Sequence, residues 1–178
     1  MSEPTGKLSL RSIKPDDNVA GLSLGVPEAQ PLKTFLKKHA LSYEAAHFAR
    51  TYVVVDEASR PKVWAYVTLI CSSIEAIPGH KVDDCRDAAR LPDYPAIKIA
   101  RLAVDQALQG RGIGKELIAW SISISRDVMR HLGCRVLIVD SKPSAVSFYT
   151  NAGFTLLNSA KNISAKTPIL FLDLHRLP

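Results

Sequence analysis

The chain has 178 residues, 47% of them hydrophobic and 22% charged, with a formal net charge of +6; this suits one globular domain over residues 1–178, frayed over 1–7, and leaves too little chain for two comfortable cores. No apolar run approaches the roughly 18 residues that cross a bilayer, and the N-terminus "MSEPTGKLSLRS" has no apolar core of a secretory leader. The three cysteines, Cys71, Cys85 and Cys134, show neither C-x-x-C nor zinc-like spacing with histidine, so no disulfide framework and no metal site is expected, and the cytoplasm is the default location.

In chain order, "KLSLRSI" alternates as a short strand does. "PEAQPLKTFLKKHALSYEAAHFA" has helical spacing at Leu32, Phe35 and Leu36, and later at Leu41, Ala45 and Phe48, which predicts one helix or two. "TYVVVDE" is a β-branched strand, a turn is expected at Ser59 to Lys62, and "VWAYVTLICSSI" is a longer strand. "PGHKVDDCRDAARLPDYP" is polar and bounded by prolines, a surface excursion; "AIKIARLAVD" is the next strand. "KELIAWSISISRDVMRHLG" is a helix with an apolar stripe at Ile113, Leu117, Trp120, Ile124, Val128 and Leu132, and Gly133 is placed to cap it. "CRVLIVD" reads as a buried strand, "KPSAVSFYTNAGF" as a short helix stopped by Gly153, and "PILFLDL" as a final strand. Cys71 and Cys134, in apolar runs, are expected to be small core residues. The order is that of an α/β or α+β sheet with helices on its faces.

Three glycines, Gly110, Gly112 and Gly114, stand at alternate positions between a strand and an amphipathic helix. A P-loop fails here because position 109 is Gln109 and position 116 is Glu116; a dinucleotide fingerprint fails because Lys115 or Leu117 falls where its third glycine belongs. The physics is still that of a phosphate site. Missing Cβ atoms let the backbone approach an anion, successive N–H groups converge at a helix N-terminus, and Arg111 and Lys115 add charge. A tight turn that needs glycine for conformation alone is the bland alternative.

"QGRGIG" at 109–114, with "RLAV" before it and "CRVLIVD" and "SAVSFYTNAGF" after it, resembles the Q/R-x-x-G-x-G/A motif and the A-x-x-F-Y-x-x-x-G-F segment of the GNAT N-acetyltransferase superfamily. The resemblance implies a mixed, mostly antiparallel sheet flanked by helices, with a CoA cleft between the strands around residues 97–105 and 134–139. It implies acetyl-CoA as donor: its pyrophosphate on the amides of Gly110, Arg111, Gly112, Ile113, Gly114 and Lys115 beside Gln109, its pantetheine paired with Leu102, Ala103 and Val104, and Ser144 and Phe148 close to it. Tyr149 would give a proton to the departing CoA thiolate. Lys142 stands where many relatives carry Asn. A tyrosine on the apolar face of a short helix is ordinarily a core residue; the glycine loop and the F-Y-x-x-x-G-F setting favour the catalytic role.

The acceptor is an amine in neutral form. A lysine side chain near pKa ~10.4 needs a general base, whereas an α-amine near ~8 or below is already partly neutral. Several protein-lysine acetyltransferases carry a carboxylate about eleven residues ahead of the motif's Gln; here that position is Lys98, and no Asp or Glu lies between Ala96 and Val104. Asp105, at the strand's end, reads as a turn residue. Lys98 and Arg101 would repel an ammonium substrate and welcome a phosphate backbone. "ALSYEAAHFARTYVVVDE", "LPDYPAIKIARLAVD" and "ILFLDLHRLP" resemble, more loosely, the GNAT toxins of toxin–antitoxin pairs, which acetylate the α-amino group of aminoacyl-tRNA and block translation. That branch implies a small DNA-binding antitoxin as partner, allows a homodimer, and makes Arg50, Lys98, Arg101, Lys37 and Lys38 candidates for tRNA contact. A GNAT enzyme acting on a protein N-terminus, a polyamine or a small-molecule amine stays open, as does a non-catalytic CoA-binding module.

Overall fold

The computed structural model describes residues 4, 6–56, 61–75, 82 and 84–177. The expected turn at Ser59 and Arg60, and most of the N-terminal fraying, lie outside these residues. Seven strands, β1 (Leu8–Ser12), β2 (Arg50–Asp56), β3 (Val63–Glu75), β4 (Asp93–Val104), β5 (Val136–Asp140), β6 (Thr155–Leu156) and β7 (Ile169–Asp173), form one sheet in the order β1-β2-β3-β4-β5-β7-β6. The helices are α1 (Gln30–Lys38), α2 (Ala40–Ala45), α3 (Ile113–Met129), α4 (Val146–Thr150) and α5 (Ala160–Ile163). β1–β2, β2–β3, β5–β7 and β6–β7 pair antiparallel, while β4 and β5 run parallel from Ala96↔Val136 to Ile99↔Val139. A mixed, mostly antiparallel sheet flanked by helices is what the sequence led one to expect. The two-residue β6 and four-residue α5 were not legible there, because neither is long enough to show a period.

The chain divides into two compact units, residues 1–70 with 100–121 and residues 71–99 with 122–178. The first is cored by Leu22, Phe35, Leu36, Val53, Val55 and Tyr66; the Tyr66 hydroxyl donates to the Leu32 carbonyl at 2.7 Å, so a buried phenol fastens α1 to β3. The second is cored by Ile74, Tyr94, Ala96, Val136, Ile138 and Phe171. The β-branched runs of β2 and β5 are buried almost end to end, as strands covered on both faces require.

Three expectations are met only in part. Past His39 the helical spacing no longer maps to burial: a new short helix starts at Ala40, Leu41 and Ala45 are exposed, and Phe48 lies beyond α2 with 74% of its surface exposed. In α3 the expected stripe holds in part: Leu117 is buried and Ile113, Trp120, Ile124 and Val128 are half-buried, but Ile118, Ser121 and Ser125 are buried too, and α3 ends at Met129, so Leu132 is 66% exposed and Gly133 does not cap it. The buried serines hide from a hydropathy pattern; Ser121 satisfies its hydroxyl on the Leu117 carbonyl at 2.8 Å. Cys134 is buried as expected, but Cys71 is exposed.

Candidate active site

β4 ends in a knot around Asp105. Its carboxylate is buried, accepts the Ser23 N–H at 2.9 Å and the Ala107 N–H at 3.0 Å, and pairs with Lys62 Nζ at 3.3 Å. Lys62 in turn lies 3.4 Å from the centre of the Trp64 ring. The backbone joins in: Asp105 N–H donates to the Trp64 carbonyl at 2.7 Å and Gln106 N–H to the Ser23 carbonyl at 2.8 Å. Asp105 is the turn residue the sequence suggested, and its carboxylate is fully committed to structure.

From this anchor a single 3-10 turn, Gln106–Leu108, leads into the glycines. Gln109 Nε2 reaches back to the Val104 carbonyl at 3.0 Å, so this side chain closes the turn onto the strand end. Gly110 and Gly112 have φ of +76° and +87°, the left-handed region that L side chains avoid, and a Cβ at either would meet no heavy atom within 4 Å. Conformation, then, is why glycine stands at both, and the space above them is open. Gly114 lies in the first turn of α3 without a positive φ. The Arg111 N–H donates to the Leu108 carbonyl at 3.3 Å and the Lys115 N–H to the Gly112 carbonyl at 2.9 Å. Those two amides are engaged. Among the described residues the N–H groups of Gly110, Gly112, Ile113 and Gly114 donate to no acceptor. Four amides and the positive end of a 17-residue helix suit an anion better than a neutral group.

Upstream of the knot, β4 continues past the Ile99↔Val139 limit of its pairing with β5 through Leu102, Ala103 and Val104. Within the same unit, Arg101 places its guanidinium 4.9 Å from the centre of the Phe35 ring. Two hollows adjoin there and share Phe35, Tyr43 and Arg101. One, of about 500 Å³, also has Gln30, Thr34 and His39 in its wall; the other, of about 400 Å³, adds Phe48, Ala49, Thr68, Ile70 and Ala100. The rings along this face touch in series: Phe35 and Tyr43 at 5.7 Å edge to face, His39 and Tyr43 at 6.0 Å, Tyr43 and Phe48 at 6.1 Å. Sequence reasoning missed this cluster. Its signal, an aromatic or His at 35, 39, 43 and 48, was present, but Phe35 and Phe48 were read only as helical spacing.

In the second unit, a 3-10 turn at Pro143–Ala145 precedes α4. Ser144 is exposed there and Phe148 is half-buried. Tyr149 is 7% exposed, with ring contacts to Phe148 at 5.0 Å and Phe154 at 5.7 Å. Burial pushes its phenol up to about 12, so the group stays protonated at every physiological pH. Among the described residues its hydroxyl has no hydrogen-bond partner, which leaves the proton available to a ligand.

The expected tRNA-contacting cations do not form one set. Lys98 is ion-paired with Asp140, a carboxylate from β5 that the sequence did not place beside it. Arg50 is held by Glu44 at 2.8 Å and by His47 Nδ1 at 2.8 Å. Lys37 and Lys38 are exposed in the last turn of α1 and line neither hollow. Of the candidates, only Arg101 faces both hollows.

Residues 48–156 match the acetyltransferase (GNAT) domain family. The chain is 28% identical over 154 residues to a tRNA-acetylating toxin of Mycobacterium tuberculosis (strain ATCC 25618 / H37Rv), covering 85% of this chain and 87% of that one. Among solved structures it superposes on a tyrosine-to-phenylalanine mutant of KacT with a TM-score of 0.83 at 24% identity, covering 94% of this chain and 95% of the other. It superposes on AtaT complexed with acetyl-methionyl-tRNAfMet with a TM-score of 0.81 at 23% identity, covering 95% and 96%. A tyrosine-to-phenylalanine mutant of the AtaT toxin, bound to the C-terminus of the antitoxin AtaR and acetyl-CoA, gives a TM-score of 0.75 at 22% identity, covering 94% of each chain.

Proposed function

This chain belongs to the GNAT acetyltransferase domain family, and from that premise we propose that it transfers the acetyl group of acetyl-CoA directly to the α-amino group of aminoacyl-tRNA, blocking translation as a cytoplasmic toxin restrained by a small DNA-binding antitoxin. Residues 1–178 would serve as a single acetyltransferase domain. The observation that carries the reading is the glycine loop: two left-handed glycines and four unengaged amides at the mouth of α3. Its likeness to a tRNA-acetylating toxin, and to AtaT with acetyl-methionyl-tRNAfMet, directs the choice of acceptor.

The fit to the donor rests on the residues present. The amides of Gly110, Gly112, Ile113 and Gly114, open above and unengaged, would hold the pyrophosphate, with Arg111 and Lys115 adding charge. The backbone of Leu102–Val104 would pair with the pantetheine as an added strand. Acetyl-CoA supplies the acetyl group as a thioester. In the exchange the acceptor nitrogen forms a C–N bond to the acetyl carbon and loses one proton, the C–S bond breaks, and the leaving sulfur gains one. Tyr149 holds the proton that the sulfur needs, and regains one from the nitrogen. Asp140 is held by the Lys98 ammonium, and an α-amine with a pKa of about 8 or below, already partly neutral, has less need of a general base.

The test is direct. Incubation with labelled acetyl-CoA and aminoacyl-tRNA should label the aminoacyl group, and Tyr149→Phe should lower kcat by about 100-fold or more while acetyl-CoA still binds. Label appearing on protein or a polyamine, with none on aminoacyl-tRNA, would overturn the acceptor assignment.

A further inference from the structure

The aromatic face of α1 and α2 is not explained by core packing. His39 is exposed, Tyr43 is 44% and Phe48 74% exposed, yet their rings sit in series with Phe35. Clustered exposed aromatics mark binding surfaces rather than filled cores. Arg101 lies over the Phe35 ring and extends this surface with a flat cation. The hollow they bound, about 500 Å³, is in the range of small-ligand sites, and Gln30 and Thr34 in its wall offer polar groups to the edge of a base.

Charge narrows the occupant. α1, "QPLKTFLKK", has three lysines and no acid. The Glu44 carboxylate of α2 is consumed by Arg50 and by the Thr51 N–H at 2.7 Å. A polyamine or other ammonium would meet the Arg101 guanidinium here, and neither hollow has a carboxylate among its described lining residues; a phosphodiester chain would meet favourable charge. Stacking rings beside cations is the recognition chemistry of single-stranded nucleic acid. Position agrees: Ala100 and Arg101, in the hollow walls, immediately precede Leu102–Val104 on β4, the segment assigned to the donor's pantetheine.

We propose that this face is a stacking platform for the unpaired 3′-terminal nucleotides of the acceptor tRNA. The terminal adenosine sits in the hollow of Phe35, His39, Tyr43 and Arg101, Lys37 and Lys38 meet the phosphates behind it, and the adjoining hollow receives the aminoacyl side chain. The proposal rests on aminoacyl-tRNA being the acceptor, and its test separates the two.

His39→Ala, Tyr43→Ala and Phe48→Ala change exposed side chains, so unaltered melting should show that each folds. Steady-state kinetics should show KM for aminoacyl-tRNA rising about ten-fold or more for a lost base stack, with kcat and the KM for acetyl-CoA held within about two-fold. An amino-acid methyl ester, which has no nucleoside, should be acetylated equally by wild type and His39→Ala, whose ring lines the adenosine hollow alone, whereas Phe48→Ala, in the adjoining hollow, should be impaired on ester and tRNA alike. An unchanged tRNA KM in all three variants would overturn the platform, as would equal impairment of His39→Ala on tRNA and ester, since that ring would then serve the aminoacyl group or the site's shape. If wild type acetylates a peptide N-terminus and no aminoacyl-tRNA, the acceptor reading itself falls.

Discussion

Residues 102–114 and residues 30–49 belong to the same compact unit, yet they build binding surface by opposite means. The loop offers main-chain amides: its two left-handed glycines, its 3-10 turn and the Asp105 anchor fix where N–H groups point, and side chains matter by being absent. The face of α1, α2 and the turn after them offers side chains instead: the exposed rings of His39, Tyr43 and Phe48, set against the buried Phe35, and the Arg101 guanidinium. The first kind of surface is written in residue type, because few residues tolerate positive φ. The second is written in exposure, which spacing alone does not report. A Phe every three or four residues looks the same whether it faces a core or a ligand.

Mutations should separate the two designs. Leu36→Ala, in the buried half of α1, should cost about 2–5 kcal/mol of stability in chemical denaturation, whereas Phe48→Ala should cost less than about 0.5 kcal/mol. A large stability loss from Phe48→Ala would mean that the aromatic face is core after all. Gly112→Val forces a β-branched residue to φ +87° where the space is open. The strain, of order 1–2 kcal/mol, should lower the melting midpoint by only a few degrees and weaken acetyl-CoA binding by about ten-fold in calorimetry. Unchanged binding would show that the loop's backbone is not the anion site.

The smallest effect lies in the second unit and is a control on both surfaces. Hydrogen bonding to Arg135, at 2.5 and 3.0 Å, pulls the Asp84 carboxyl from its ordinary 3.8 down to about 2. A carboxylate depressed in the folded state contributes stability that is present above pH 3.8 and is lost as pH falls through about 2. The midpoint of thermal unfolding should fall over that window, and Asp84→Asn should flatten the fall without altering acetyl transfer at pH 7. An equally steep fall in the variant would assign the acid sensitivity to other groups.

Legibility followed physical cause. β2, β3 and β5 were readable because β-branched runs have few other homes. The glycine loop was readable for the reason given above, and so was Tyr149 in its helix, though not the burial that lifts its pKa. The face of α3 was not: Ser121 and Ser125 fill buried positions that hydropathy assigns to solvent. One helix or two was expected over 27–49, and two form, but the place of the break at His39 was not legible, because α1 stops without a glycine or proline to announce it. The Lys98–Asp140 pair joins residues 42 positions apart, and a parallel strand register cannot be read from either strand alone.

The Asp105 knot bears on how the molecule could be cut down. The match to the acetyltransferase domain family begins at residue 48, but the amide and carbonyl that grip this carboxylate and its neighbour belong to Ser23. A fragment trimmed to the similar region would keep every glycine of the loop and lose the stay that tethers its approach. Sequence kinship thus marks where the chemistry is shared, while the smallest autonomous catalyst must reach back through at least Ser23.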